Sequence, residues 1–396
     1  MRVIGLISGT SADGIDAALV DLEGQGYDLS IAPVDELTWP YPTALRQQIL
    51  ALCAGEAVSL ERLAELDDAV AQTFAQAAQA LIAQAGPADL IASHGQTVFH
   101  RPVGRPALPH QGPTRLGYTH QLGRGAVIAQ QVGLATVSDF RQADIEAGGE
   151  GAPLVPIVDR CLFSHPQQRR CVQNLGGIGN VAYLPPWDRA TPPPKVLGWD
   201  TGPANSLIDI AVHSLSEGRL TYDIDGAWAA QGTPSQSLVE AWLEHPYFMQ
   251  PPPKSTGREL FGWACFEQCQ RDAQGLGLGP MDLVATLTEF TAASVAQSYR
   301  NFLPALPDLV LVCGGGSRNS VLMARLQAQL PEVAVQTTDS VGVSASAKEA
   351  IAFAVLGYWQ RQGFPGNLPA VTGASRPTPL GHISLPPEQP YAPGFP

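Results

Sequence analysis

Basic side chains are scarce in this sequence. Lys and Arg number 23 against 36 Asp and Glu, for a formal net charge of −13. That sign excludes a general nucleic-acid surface, which needs positive potential to release counterions from phosphate. It does not exclude an anionic small molecule, since a local Arg or Lys cluster overrides the global field. Cysteine is sparse too. Cys53, Cys161, Cys171, Cys265, Cys269 and Cys313 are spread over 396 residues and form no disulfide framework. They read as buried free thiols in a reducing compartment. No apolar run approaches about 18 residues, so no membrane helix is expected. Met1 leads straight into the short run Val3–Ile7, which is no signal segment. These absences together point to a cytoplasmic chain. Its 15% charged and 45% apolar content fits a globular protein. Its length exceeds one ordinary core, so two lobes are expected.

The pattern along the chain repeats. Val3–Ile7 reads as a buried strand, 8–14 as a polar turn, and 15–22 and 27–38 as two further strands. A long helix is predicted over 59–85, with Ser59 as a half-formed cap because Arg62 stands where a capping-box acid would sit. A strand at 89–93 then runs into His94-Gly95-Gln96. The second half has the same order, with strands at 170–175, 180–184 and 195–199. Pro203 sits where a first helical turn accepts proline, ahead of a helix over 204–214. Further helices are predicted over 281–302, 318–330 and 345–361, with a strand at 308–312. The expectation is a duplicated α/β fold with lobes at 1–140 and 141–362. A Pro-rich, irregular tail is expected over 363–396.

Three glycine turns follow strands. In Ser8-Gly9-Thr10-Ser11-Ala12-Asp13-Gly14-Ile15-Asp16, small residues let backbone N–H groups converge on an anion, and Thr10 and Ser11 add hydroxyls. Asp13 would repel phosphate unless a cation intervenes, and Mg²⁺, directly or through water, is the natural one. An ordinary hairpin turn is the alternative. No Gly-Lys-Ser/Thr follows, so this is not a Walker loop. Gly176, Gly177 and Asn180 lie in a second strand–turn–strand at the matching place of the second half. Gly314, Gly315 and Gly316, followed by Asn319, form a strand–turn–helix that would clear a slot for a nucleotide base or ribose. Asp200, in Gly198-Trp199-Asp200-Thr201-Gly202-Pro203, is a strand-end carboxylate that reads as a catalytic group or as a helix cap. His94, Gln96 and Thr97 offer polar contacts for a sugar or carboxylate, while Asp139, Arg141 and Gly149 could line the same cleft. Arg141 suits a substrate carboxylate. His94 and His100 are not spaced as a helical zinc pair.

Taken together these segments resemble the anhydro-N-acetylmuramic acid kinase family of the actin, heat-shock-chaperone and sugar-kinase superfamily. The motifs are SGTSADGID, SHGQTVFH, SDFRQAD, GGEGAPLVP, NLGGIGN, DTGPANSLID, CGGGSRN and KEAIAFA, running from Gly5 to about Gly357. Departures are small: Ala12 replaces the family's Met, Ala204 its Gly, and Gly179 its Ala. The resemblance implies an actin-like, ribonuclease H-like two-lobe fold with a central ATP cleft. It implies transfer of the γ-phosphoryl group of ATP to the 6-oxygen of 1,6-anhydro-N-acetylmuramic acid, coupled to hydrolytic opening of the anhydro ring. Asp200 matches the family's catalytic base and Glu349 a glutamate that orients the water. A small amino-sugar substrate, Mg²⁺ and a homodimer are likewise implied. A conventional sugar-hydroxyl kinase of the superfamily and an ATP-driven switch protein remain the alternatives.

Overall fold

The computed structural model describes residues 1–9, 11–101 and 117–387. Thr10, a candidate phosphate contact, lies outside the described residues, as does the end of the chain. The chain divides into two compact units. The first is Met1–Val158 with Glu349–Pro396, and the second is Asp159–Lys348.

In the first unit, β1 (Arg2–Ser8), β2 (Gly14–Gln25) and β3 (Asp28–Pro40) form an antiparallel meander. β4 (Leu90–Arg101) returns parallel to β1, and β6 (Thr136–Ser138) lies parallel to β4. β5 (Tyr118–Leu122) pairs with β4. The helix Leu60–Ala85 makes the crossover from β3 to β4. It folds here because Leu66, Val70, Phe74, Ala78 and Leu81 recur at helical spacing on one buried face. Ser59 caps it, accepting the Arg62 N–H at 3.1 Å, while the Arg62 side chain turns to Glu65.

The second unit repeats that topology. β7 (Arg170–Leu175), β8 (Ile178–Leu184) and β9 (Leu197–Pro203) form a meander, and β10 (Leu309–Cys313) pairs in parallel with β7 and with β11 (Ala334–Thr337). The strand order β9-β8-β7-β10-β11 reproduces β3-β2-β1-β4-β6. The fold is thus a duplicated α/β fold of the ribonuclease H-like, actin-like kind. The helix Pro280–Phe302 is buried on nearly every side. Its hydroxyls are therefore bonded inside: Thr286 to the Asp282 carbonyl, Thr288 to that of Val284, and Thr291 to that of Ala204.

The division departs from the boundaries read off the sequence. The first unit runs past 140 to Val158, and the chain crosses back at Glu349, so the helix Lys348–Gln362 packs on the first sheet. That packing is very close. A Cβ on Gly5 of β1 would stand only 1.8 Å from the Ala350 carbonyl, and one on Gly357 would meet Ala92 of β4 at 2.5 Å. Residues 363–387 are not irregular throughout either. β12 (His382–Ser384) extends the first sheet antiparallel to β6. Asn367 and Thr372 each donate at 2.7 Å to the fully buried Asp144 carboxylate, which also accepts the Gly151 N–H at 2.8 Å. The proline content of this segment suggested irregular structure, but hydrogen bonding to distant partners fixes the described part of it. Pro203 is likewise a strand residue, opposite Ile178, and the following helix starts only at Ser206. Of the thiols, Cys53 is exposed and Cys265 half-buried; the other four are buried as expected.

The Asp144 knot has a measurable weight. Asn367→Ala removes one donor from a buried carboxylate and leaves the Thr378 N–H without its acceptor. Unfolding in urea is expected to show a loss of about 1–3 kcal/mol; a loss below about 0.5 kcal/mol would mean that water replaces the amide at no cost.

Candidate active site

The turn between β1 and β2 is tied at both ends. Ser8 donates its hydroxyl to the Gly14 carbonyl at 2.8 Å, and the Ala12 N–H reaches the Gly9 carbonyl at 3.1 Å. Ala12 takes φ +50°, a left-handed conformation that costs an alanine roughly 1 kcal/mol, as a tight turn demands. Gly9 is exposed, and a Cβ there would meet nothing within 4 Å. The cation beside Asp13 is Arg46, whose Nη2 lies 2.6 Å from Oδ1. Arg46 also donates to the carbonyls of Ala12 and Ser11, so one guanidinium braces the whole turn. Asp16 accepts the Thr38 hydroxyl at 2.7 Å from β3.

The residues read as sugar contacts divide. Gln96 is buried, and its amide donates to the Gly9 carbonyl at 3.2 Å, binding β4 to the turn. Thr97 accepts from Gln121 of β5. His94 is buried against Phe353, ring centroids 4.5 Å apart. Its Nδ1 is 3.0 Å from the Gly95 carbonyl, and its Nε2 accepts Arg141 Nε at 2.9 Å. The ring is therefore neutral with the proton on Nδ1; burial first, and then the Arg141 charge, hold its pKa well below the usual histidine value. Arg141 donates from Nη1 to the Gly151 carbonyl at 2.7 Å. Gly149 packs where a Cβ would lie 2.3 Å from the Asp144 carboxylate. Asp139 stands exposed with φ +58°. His94, Gln96 and Gly149 thus support their neighbours, whereas Asp139 presents its side chain at the surface.

In the second unit the Gly176-Gly177 turn is clamped onto the start of the helix Ser206–Leu215. Asn205 Nδ2 donates to the carbonyls of Leu175 and Gly176, each at 2.9 Å, and the N–H groups of Ala204 and Ser206 reach the Gly177 carbonyl. Gly314 and Gly316 pack against this turn: their Cβ atoms would meet Asn174 Oδ1 at 2.3 Å and Leu175 Cβ at 2.6 Å. Only Gly315 of the three is exposed, its nearest neighbour being Asn205 Nδ2 at 3.9 Å. Asn319 caps the helix Ser320–Gln329, accepting the Leu322 N–H at 3.0 Å. Asn180 lies opposite Asp200 across β8 and β9.

Asp200 is half-buried beside a β-bulge. Asn180 pairs with Asp200 but Gly179 pairs with Gly202, which leaves Thr201 as the extra residue. The Thr201 hydroxyl is fully buried and accepts Gln173 Nε2 at 3.2 Å, while Gln173 Oε1 accepts the Tyr299 hydroxyl at 2.9 Å. On its other side Asp200 is gripped by 247–256. Its N–H reaches the Lys254 carbonyl at 3.1 Å, its Oδ2 accepts the Thr256 N–H at 2.9 Å, and its carbonyl accepts the Tyr247 hydroxyl at 2.6 Å. A carboxylate held at main chain and side chain in this way is preorganised to orient or deprotonate a ligand. Glu349 opens the helix Lys348–Gln362 and is half-buried.

Comparison with known proteins shows the family. The profile of the anhydro-N-acetylmuramic acid kinase family matches residues 1–386. The chain belongs to the anhydro-N-acetylmuramic acid kinase family. The match takes in the segment after Gly357 that the motifs had not reached. The anhydro-N-acetylmuramic acid kinase of Cyanothece sp. is 60% identical over 386 residues, covering 97% of this chain and 99% of its own. That of Synechocystis sp. is 57% identical over 389 residues, covering 98% and 99%. A solved component A of the (R)-2-hydroxyglutaryl-CoA dehydratase of Acidaminococcus fermentans aligns over 91% of this chain and 99% of its own, with 11% identity and a TM-score of 0.45. A likeness so distant says nothing of activity.

Sequence reasoning missed Arg46, Gln173, Tyr247, Lys254, Thr256 and Tyr299. Each lies far along the chain from the motif it serves, and none sits in a glycine-rich turn. The neutral, buried His94 carries a pH signature. Unfolded, it titrates near 6.5; folded, it stays neutral below that. The unfolded chain therefore binds the extra proton, and stability falls as pH drops below about 6.5, by up to about 1.4 kcal/mol per unit. His94→Gln keeps an acceptor for Arg141 but does not titrate. Its unfolding free energy is expected to vary less between pH 6.5 and 5 than that of the wild type, and equal slopes would show that His94 ionises normally.

Proposed function

We propose that this enzyme uses ATP to phosphorylate 1,6-anhydro-N-acetylmuramic acid at its 6-oxygen while water opens the anhydro ring, giving N-acetylmuramic acid 6-phosphate and ADP. The observation that carries the reading is the Asp200 cradle, in a chain that is a family member over nearly its whole length. Asp200 accepts a proton from the attacking water, the water oxygen adds to the anomeric carbon, and the bond from that carbon to the 6-oxygen breaks. The released 6-oxygen takes the γ-phosphoryl group. For Glu349 the family resemblance gives the role of orienting water. In the second unit the turn at 176–177, with Gly315, is the candidate contact for phosphate and nucleoside, and in the first unit the turn after β1 is a candidate phosphate contact. Phosphoryl transfer asks mainly for position and charge neutralisation, which exposed main-chain N–H groups in such turns can supply.

Asp13 is the fitting residue for Mg²⁺. Its side chain is 61% exposed beside the small residues of the turn, and a hard carboxylate oxygen suits that ion through its waters. When bound, the ion neutralises phosphate charge. Among the described residues no helix is long and apolar enough to cross a membrane. A cytoplasmic location fits the ATP requirement and six free thiols. A homodimer, which the family resemblance implies, is open to test by sedimentation.

Incubation with Mg·ATP and the anhydro sugar in ¹⁸O-labelled water tests the chemistry. Label at the anomeric oxygen, with mutarotation controlled, is expected; a phosphorylated product that retains the anhydro ring would instead establish a conventional hydroxyl kinase. Asp200→Asn is expected to lower kcat by about 10²-fold or more with nucleotide binding retained. A variant keeping more than about a tenth of wild-type kcat would remove Asp200 from the role of base. Asp13→Ala is expected to raise the KM for Mg·ATP and leave that for the sugar unchanged. Normal nucleotide kinetics at every Mg²⁺ concentration would reduce Asp13 to a turn former.

A further inference from the structure

The cradle around Asp200 contains a cation that no motif marks. Lys254 follows the prolines at 251–253 and is only 9% exposed. Its Nζ donates to the Tyr247 carbonyl at 3.1 Å and stands 4.6 Å from the ring centroids of both Tyr247 and Phe302. Two aromatic faces and one carbonyl replace only part of the hydration that an ammonium loses on burial. A lysine kept there at that cost calls for a reason beyond packing. The same residue holds Asp200 through its backbone carbonyl, and Thr256, two residues on, holds the Asp200 carboxylate. Tyr247 closes the circuit, since the ring under the ammonium carries the hydroxyl bonded to the Asp200 carbonyl.

We propose that Lys254 is a positioning residue for Asp200, whose caged ammonium keeps that carboxylate ionised and whose backbone keeps it aimed. The proposal rests on the reading of Asp200 as the base. The groups against Nζ are the Tyr247 ring and carbonyl, from the helix Pro246–Met249, and the Phe302 ring, from the end of the helix Pro280–Phe302, while Asp200 of β9 is bonded to the Lys254 main chain and to the Tyr247 hydroxyl. Burial pushes the ammonium down to about 8, and the Asp200 carboxylate opposes that shift. The coupling is reciprocal, so a charge that Asp200 stabilises on Lys254 stabilises the charge on Asp200 in turn. Loss of the ammonium therefore makes Asp200 easier to protonate. A lysine that merely fills space has no such effect on its neighbour's titration.

The pH profile of kcat/KM separates the two roles, because its acid limb reports the base of the free enzyme. Wild type, Lys254→Met, Lys254→Gln and Lys254→Arg are profiled with Mg·ATP and the anhydro sugar, beside Asp200→Asn. In both neutral variants the acid limb is expected to move up by about half a pH unit or more, while the arginine variant leaves it in place. The wild type is also expected to inflect on the alkaline side where Lys254 loses its proton, and arginine, which stays charged, removes that inflection. The arginine arm decides the matter if neither neutral variant folds. An acid limb unmoved in the neutral variants, with kcat lowered equally at every pH, overturns the proposal, as does an alkaline inflection that persists in the arginine variant. If Asp200→Asn stays active, the reading of Asp200 fails and takes this proposal with it; if it is inactive while the limb stays fixed, Lys254 alone loses its role.

Discussion

The extra residue in β9 is the constraint on which the arrangement around Asp200 depends. Thr201 breaks the alternation of the strand, and a bulge re-aims the side chains on either side of it. Such a break is tolerable only if the buried groups it creates are bonded. The Thr201 hydroxyl, the Gln173 amide and the Tyr299 hydroxyl form one chain of hydrogen bonds inside the unit, and burial raises the Tyr299 pKa well above the phenol value, so the proton stays in place. Leaving any one of them unpaired would cost about 1–3 kcal/mol. A Cβ on Gly179 would lie 2.7 Å from the Thr201 hydroxyl, so the bulge and the turn before it are closely packed.

The first unit solves a different problem by similar means. Its turn after β1 is held from two sides. Arg46 braces it from the helix Thr43–Cys53, and Gln96 ties it to β4. Further along, the Arg141 guanidinium is fixed in direction by a neutral histidine and a loop carbonyl, and that loop is anchored by Asp144 to Asn367 and Thr372. Several polar residues read from the sequence as ligand contacts hold their neighbours in place. The distinction matters for mutagenesis, because removing a support lowers stability as well as function.

Duplication ties the two units together as folds. Each begins with a meander, returns through helices to pair in parallel with its first strand, and places a glycine turn where the first two strands meet. Hydrophobic runs and turns were enough to expose that order, since strand period and turn chemistry are local properties. The triple glycine is a partial exception. It was read as a slot for a nucleotide, yet Gly314 and Gly316 are glycine because the Gly176 turn lies against them, and only Gly315 leaves open surface.

By itself the sequence determined the family, the fold class, the catalytic carboxylate as a candidate and the places of the glycine turns, because motifs and periodicity are carried by neighbouring residues. Tertiary structure alone decided where the units divide, since chain order does not reveal that the helix Lys348–Gln362 returns to the first sheet. It also decided that residues 363–387 pack onto the first unit and that Asp13 has Arg46 as its partner. Lys254, 54 positions from Asp200 along the chain, joined its cradle in the same way. These are contacts between residues distant in sequence, made by burial and by the need to satisfy every buried polar group, and no local pattern encodes them.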